Sequence, residues 1–333
     1  MNFPEPTRAS AGRWRGEICG RFMVGKVPSG GYLTALALRC ATGELWAAAE
    51  AHDHPPGLQR APTAHPDVLS CTLHFFRASR VAPFDCTVAI VKSGRATSVL
   101  QASMFQEARE TMRLMVTCGD LRAAEARGPN FQASFHARPL VDDAHARVKV
   151  ASANAATAAA PDVPPVSACF RLDAGDNAPP SIRSRVHLLV AAQTATQYEN
   201  ARSTRADGSF DEATLARRSE AVQSRPTAAY EGWCVFPEHP GGTPTLAAAP
   251  MLLDASVPPV LGAIVSGWVP TLNWRIDFKA HPSAGSGPLR FRFRTRRVTG
   301  GFLEEDGELW DGNGNLVALS RQLAMVGVSQ ARL

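Results

Sequence analysis

No C-x-x-C pair, no G-x-S-x-G, no G-x-G-x-x-G and no G-x-x-x-x-G-K-S/T occurs in the 333 residues. Each absence removes a chemistry: a zinc ribbon or dithiol redox centre, a serine-hydrolase elbow, a dinucleotide fingerprint and a phosphate-binding loop. Apolar runs are short as well. None approaches the ~18 residues of a membrane-spanning helix, and the opening MNFPEPTRASAGRW has no apolar leader core. Charge of either sign is modest and scattered, 35 Lys and Arg against 30 Asp and Glu, so nucleic acid is not an expected partner. An anionic small ligand remains compatible. Seven cysteines, an odd number without metal-ligand spacing, read as reduced thiols in a cytosolic-type compartment. His52 and His54 in EAHDHPPG have a chelating spacing but no evident third ligand, so neither a metal nor a cofactor is expected.

What the chain does have is enough apolar material, 45% of residues, for two ordinary domains. In VPSGGYLTALALRCA, Ser29 is a candidate helix N-cap, and Leu33, Leu36, Ala37 and Cys40 fall on one helical face. Strand-like segments follow at Thr87–Val91, Thr97–Phe105 and Met112–Cys118, with turns at Gly94 and at Glu107–Glu110. One helix followed by an antiparallel meander is an α+β pattern. Residues 123–165 are rich in Ala and Pro and read as a linker with one docked piece near Phe131–Phe135, which places domains at 1–122 and 166–333. The second half repeats the first in outline. Strand-like stretches at Ser167–Leu172, Ile182–Thr194 and Tyr230–Phe236 precede a second helix-plus-strand set, Gln197–Gln223 has helical stretches, and HFFRA (74–78) answers IDFKA (276–280).

The segment from Ala249 to Phe278 carries the most chemistry. Asp254 heads an apolar run, Val257, Val260, Leu261, Ile264 and Val265, that reads as a buried helix, and a carboxylate there is costly unless hydrogen-bonded or functional. Thr271 then opens an alternating strand in which Leu272, Trp274, Ile276 and Phe278 face one way. Downstream, Arg290, Arg292 and Arg294 alternate with Phe291 and Phe293. The arginines therefore share one strand face, either a solvated outer face or a grip for phosphates.

The motifs PSGGYL, HPDVLSCTLHFFRA, GRATSVLQASMFQ, PMLLDASVPPV and LWDGNGNLVALSRQLAMV, in this order over about 20–120 and 165–328, resemble the thioesterase-like double hot-dog proteins related to type II acyl-CoA thioesterases. The resemblance implies a tandem hot-dog: two domains, each a central helix wrapped by an antiparallel sheet, with the sheets joined side by side. It also implies a site in which an Asp, a Thr and a Gln hold the water that attacks a thioester carbonyl. Asp254, Thr271 and Gln322 match these. Gly30, Gly31 and Tyr32 of PSGGYL, together with Arg292 and Arg294 of the alternating strand, are the candidates for binding an acyl-CoA or other acyl thioester, although the glycines equally suit close packing. Asn273, Trp274, Phe278, Lys279 and Ala280 depart from the Asp-His and Phe-His-Arg usual in these thioesterases, so a different pocket wall is expected. The implied activity is acyl-CoA hydrolysis without a cofactor by a homo-oligomer. The rivals are a dehydration or cyclisation of secondary or polyketide metabolism, and non-catalytic binding of an acyl ligand. A cytoplasmic location is expected, with a peroxisomal alternative in the small-basic-Leu ending Ala331-Arg332-Leu333.

Overall fold

Ser29 starts the longest helix among the described residues, its hydroxyl oxygen accepting the Tyr32 N–H at 3.3 Å. The helix, α1 (Gly30–Glu50), buries Leu33, Leu36, Ala37, Cys40, Ala41 and Leu45, the stripe that the 3.6-residue period places on one side. The computed structural model describes residues 4–50, 65–130, 132, 164–172, 181–202 and 210–326. Before α1 run β1 (Thr7–Ser10), β2 (Arg13–Glu17) and the small pair β3 (Met23–Val24) and β4 (Val27–Pro28). After it come β5 (Asp67–Phe75), β6 (Pro83–Ser93), β7 (Ser98–Gln106), β8 (Arg109–Gly119) and α2 (Leu121–Arg127). Helix α1 packs on β6, β7 and β8.

The second half opens with β9 (Phe170–Arg171), β10 (His187–Val190), α3 (Ala192–Tyr198), α4 (Glu212–Ser224) and β11 (Ala229–Val235). It continues through α5 (Ala249–Asp254), β12 (Thr271–Phe278), β13 (Leu289–Arg294), β14 (Val298–Thr299), β15 (Phe302–Trp310) and β16 (Leu316–Met325). One 14-stranded sheet runs β1-β2-β6-β7-β8-β5-β12-β16-β15-β13-β11-β10-β9, with β14 beside β15, and its pairings are antiparallel. The halves join where β5 meets β12, from Asn273 opposite His74 to Asp277 opposite Ser70. These are the two strands that the HFFRA and IDFKA match aligns. The expected α+β tandem hot-dog, with contiguous sheets, is what the chain forms.

Three expectations need correction. The apolar run after Asp254 is not a helix: α5 ends at Asp254, and Pro259–Gly262 form a single 3-10 turn. Pro258 and Pro259 supply no N–H and push the residue before each out of the helical region, so the helical spacing of Val257 to Val265 finds no backbone to support it. The second half is therefore wrapped around a six-residue helix. Within Ile182–Thr194, only His187–Val190 is strand, between a 3-10 turn and α3. The expected linker begins with α2 rather than irregular chain. Gln132 is tied to the β15–β16 hairpin through Gly314 and Leu316, whereas Phe131, residues 133–163, His52, His54 and Ala331-Arg332-Leu333 lie outside the described residues. All seven cysteines are free thiols, five of them buried.

Candidate active site

Helix α5 is placed by a glycine. A Cβ on Gly31 would stand 2.3 Å from the Pro250 carbonyl oxygen and 2.6 Å from Asp254 Cβ, both closer than real Cβ contacts. Only glycine lets the first turn of α1 and the body of α5 touch in this way. The contact sets Asp254 against Ser29, 225 residues away in sequence, and the Ser29 hydroxyl donates to Asp254 Oδ2 at 2.5 Å. Oδ1 faces Gly30, about where a Gly30 Cβ would approach it to 3.6 Å. Asp254 is half-buried, its Oδ2 committed to Ser29 at the helix start, and the residue borders open space.

That space is a cavity of about 300 Å³. Its walls are the start of α1 (Ser29, Gly30, Leu33), the HFFRA end of β5 (Phe75, Phe76, Arg77), Asp254 and Ser256, the approach to β12 (Trp268 to Leu272), Arg202 and Gln322. A bulge between Thr271 and Asn273 shifts the register of β12 against β16, leaving Thr271 opposite Ala324 and on the same face as Gln322. There the Thr271 hydroxyl donates to Gln322 Oε1 at 2.6 Å. An acceptor carboxylate, a hydroxyl and a primary amide thus line one apolar-walled cavity. Such a set can take a proton from a water and fix the direction of its lone pair.

Behind this wall lies a second acid that sequence reasoning missed. Glu305 is 3% exposed and pairs across the strands with Gln322. Ser256 Oγ donates to its Oε1 at 3.3 Å. Burial pushes its carboxyl up to about 8, the more so with the negative charge of Asp254 nearby, while hydrogen bonding from Gln322 and Ser256 and the charge of Arg202 pull against that rise. The signal was available in FLEEDGELW: alternation puts Glu305 inward with Leu303, Gly307 and Leu309. Ser29 as the partner of Asp254 carried no such signal, because the two meet only through the tertiary contact at Gly31.

Of the expected site residues, Asp254, Thr271, Gln322 and Gly30 come together at the cavity. Gly31 does not line it and acts at the α1–α5 contact instead. Tyr32 is fully buried, its hydroxyl oxygen accepting the Cys19 N–H at 3.1 Å while donating to Cys19 Sγ at 3.3 Å, so it anchors α1 and does not reach a ligand there. Arg292 and Arg294 lie on the opposite face of the sheet, paired with Glu231 at 3.0 Å and Asp306 at 3.4 Å. Phe291 and Phe293 take the inward positions against Tyr230, which forces the arginines outward. The cations that do line the cavity are Arg77 and Arg202, and Arg202 donates to the Ser256 carbonyl at 3.2 Å. Among the described residues no group of His, Cys, Asp and Glu is arranged to hold a metal ion.

The family model of the acyl-CoA thioesterase N-terminal domain matches residues 19–119, and that of the acyl-CoA thioesterase C-terminal domain matches residues 189–326. Among solved structures, a candidate thioesterase II from Thermobifida fusca is 24% identical, with 97% of this chain and 95% of that one covered and a TM-score of 0.66. A hot-dog protein of unknown function from Alicyclobacillus acidocaldarius is 20% identical over 97% and 96% of the two chains, with a TM-score of 0.62. An acyl-CoA thioesterase II from Mycobacterium marinum is 12% identical over 98% and 97%, with a TM-score of 0.54. At these identities the likeness is one of fold. No curated protein matches the chain.

Proposed function

We propose that this chain, which belongs to the acyl-CoA thioesterase family, hydrolyses acyl thioesters at the cavity between α1, α5 and the junction strands. The observation that carries the reading is the convergence of Asp254, Thr271 and Gln322, from three separate segments, on one cavity of about 300 Å³. Asp254 Oδ1 takes a proton from a water while the Thr271 hydroxyl and the Gln322 amide orient it. The water oxygen bonds to the thioester carbonyl carbon, the C–S bond breaks, and the proton held by Asp254 passes to the leaving sulfur. A free acid and a thiol result. In this reading the Gly30 N–H, in the first turn of α1 where N–H groups lack intrahelical acceptors, donates to the carbonyl oxygen as it collects charge. The Ser29 hydroxyl holds the other Asp254 oxygen at 2.5 Å and keeps the base from rotating away. Coenzyme A is the thiol that the family suggests, and the apolar walls from Val24, Leu33, Phe75 and Leu272 suit an acyl group.

Release of free thiol from a panel of acyl-CoAs tests the proposal, because dehydration, cyclisation or simple binding releases none. In the same assay Asp254→Asn should lower turnover by roughly 10²–10⁴-fold, the range for loss of a general base. Asn keeps an oxygen to accept from Ser29, so stability should fall by no more than about 1 kcal/mol. Turnover of Asp254→Asn near that of the unaltered protein would remove Asp254 from the chemistry.

A further inference from the structure

The inward positions of β15 are Leu303, Glu305, Gly307 and Leu309, and three of these four are what a core strand requires. Glu305 is not. Its Oε1 receives the Ser256 hydroxyl, whereas its Oε2 is wholly buried and makes no hydrogen bond of good geometry. A buried carboxyl oxygen left in that condition is costly, so something should offset it. The register supplies a neighbour: Glu305 stands directly across from Gln322.

Gln322 has a problem of its own. The two ends of a primary amide are nearly the same size and opposite in hydrogen-bonding sense. A threonine hydroxyl can donate to one end or accept from the other, so Thr271 alone does not decide which end it meets. We infer that Glu305 is a positioning residue: its carboxyl takes one N–H of Gln322, which fixes the amide with its oxygen on Thr271 and turns its second N–H toward the cavity. This rests on the hydrolase reading above and explains how the water-orienting amide is held. Glu305 does not line the cavity, so it acts through Gln322 and does not touch substrate. The other ionisable groups that face it are Asp254 at the end of α5, Arg202 after α3, Tyr198 in α3 and Tyr230 in β11. In either protonation state the carboxyl keeps an acceptor oxygen. Its ionisation near pH 8 should therefore tighten the grip on Gln322 without releasing it.

Glu305→Leu and Glu305→Gln test this, with thiol release and the side-chain amide signals of Gln322 as two readouts. Leu should lower kcat on the order of 10-fold to 100-fold, the scale of a misplaced catalytic group, with KM within about twofold. Its melting temperature should not fall, since a buried carboxyl is being removed. Gln, which still offers an acceptor oxygen, should recover most of the lost kcat. In the unaltered protein the Gln322 amide signals should move with pH with a midpoint near 8, and in Glu305→Gln they should stay fixed. Full kcat in Glu305→Leu, or Gln322 signals that ignore pH in the unaltered protein, overturns the inference. A loss of melting temperature with kcat preserved would assign Glu305 to the fold alone. If the unaltered protein releases no thiol from any acyl-CoA, the hydrolase reading fails, while the amide titration still decides the Glu305–Gln322 contact separately.

Discussion

Glu305→Gln should change how stability depends on pH, and by an amount that can be worked out beforehand. In the unfolded chain the carboxyl titrates near its ordinary 4.5, and in the fold near 8, because burial disfavours its charged form. A carboxyl with a raised folded pKa leaves stability untouched below 4.5 and removes it progressively as the pH climbs to 8. Each pH unit in that window is worth about 1.36 kcal/mol, so the loss approaches about 5 kcal/mol by pH 8 and is roughly 3 kcal/mol at pH 7. Glutamine has no proton to lose. Urea-unfolding free energies of both proteins at pH 5, 6, 7, 8 and 9 should therefore diverge, with the variant gaining about 1.36 kcal/mol per unit up to pH 8 and a constant margin beyond. Other groups titrate alike in both proteins and cancel in the difference. A difference that stays flat from pH 5 to 9 would refute the reasoning, since it would mean that Glu305 ionises as freely in the fold as out of it.

Gly31→Ala should cost roughly 1–3 kcal/mol by overpacking and lower thiol release with it, because the added carbon meets the Pro250 backbone and the base of Asp254 together. Gly30→Ala is the control for stability, since its nearest obstacle is the movable ring of Phe75 at 2.9 Å; thermal melts compare the two. Thr271→Val and Gln322→Ala should each reduce kcat, and the double variant should lose far less than the product of the single losses, because both groups orient one water. Strictly multiplicative losses would show that they act independently.

Much of this arrangement can be read from the chain, for identifiable reasons. The alternation from Thr271 to Phe278 and the Gly-rich DGNGN turn place β12 and the β15–β16 hairpin, and with them Thr271 and Gln322. Asp254 is legible as a costly carboxylate, but its position in its helix is not. Helical spacing continues past it, and two prolines outweigh that spacing. Arg292 and Arg294 show the limit of a period-2 pattern. It says that the arginines share a face, and the packing of Phe291 and Phe293 on Tyr230 decides which face. The Ser29–Asp254 bond is invisible locally, because a contact spanning 225 residues exists only once the two halves have docked.

That docking has a consequence for how the protein can change over time. Ser29, Gly30 and Phe75 come from one half, and Asp254, Thr271 and Gln322 from the other, so the cavity straddles the β5–β12 seam. Two identical halves meeting across such a seam would build two identical cavities, and every substitution would strike both. Two repeats within a single polypeptide are free of that symmetry. One can keep a 21-residue helix while its counterpart shrinks to six residues around a base, so each side of the seam can be refined for a different task.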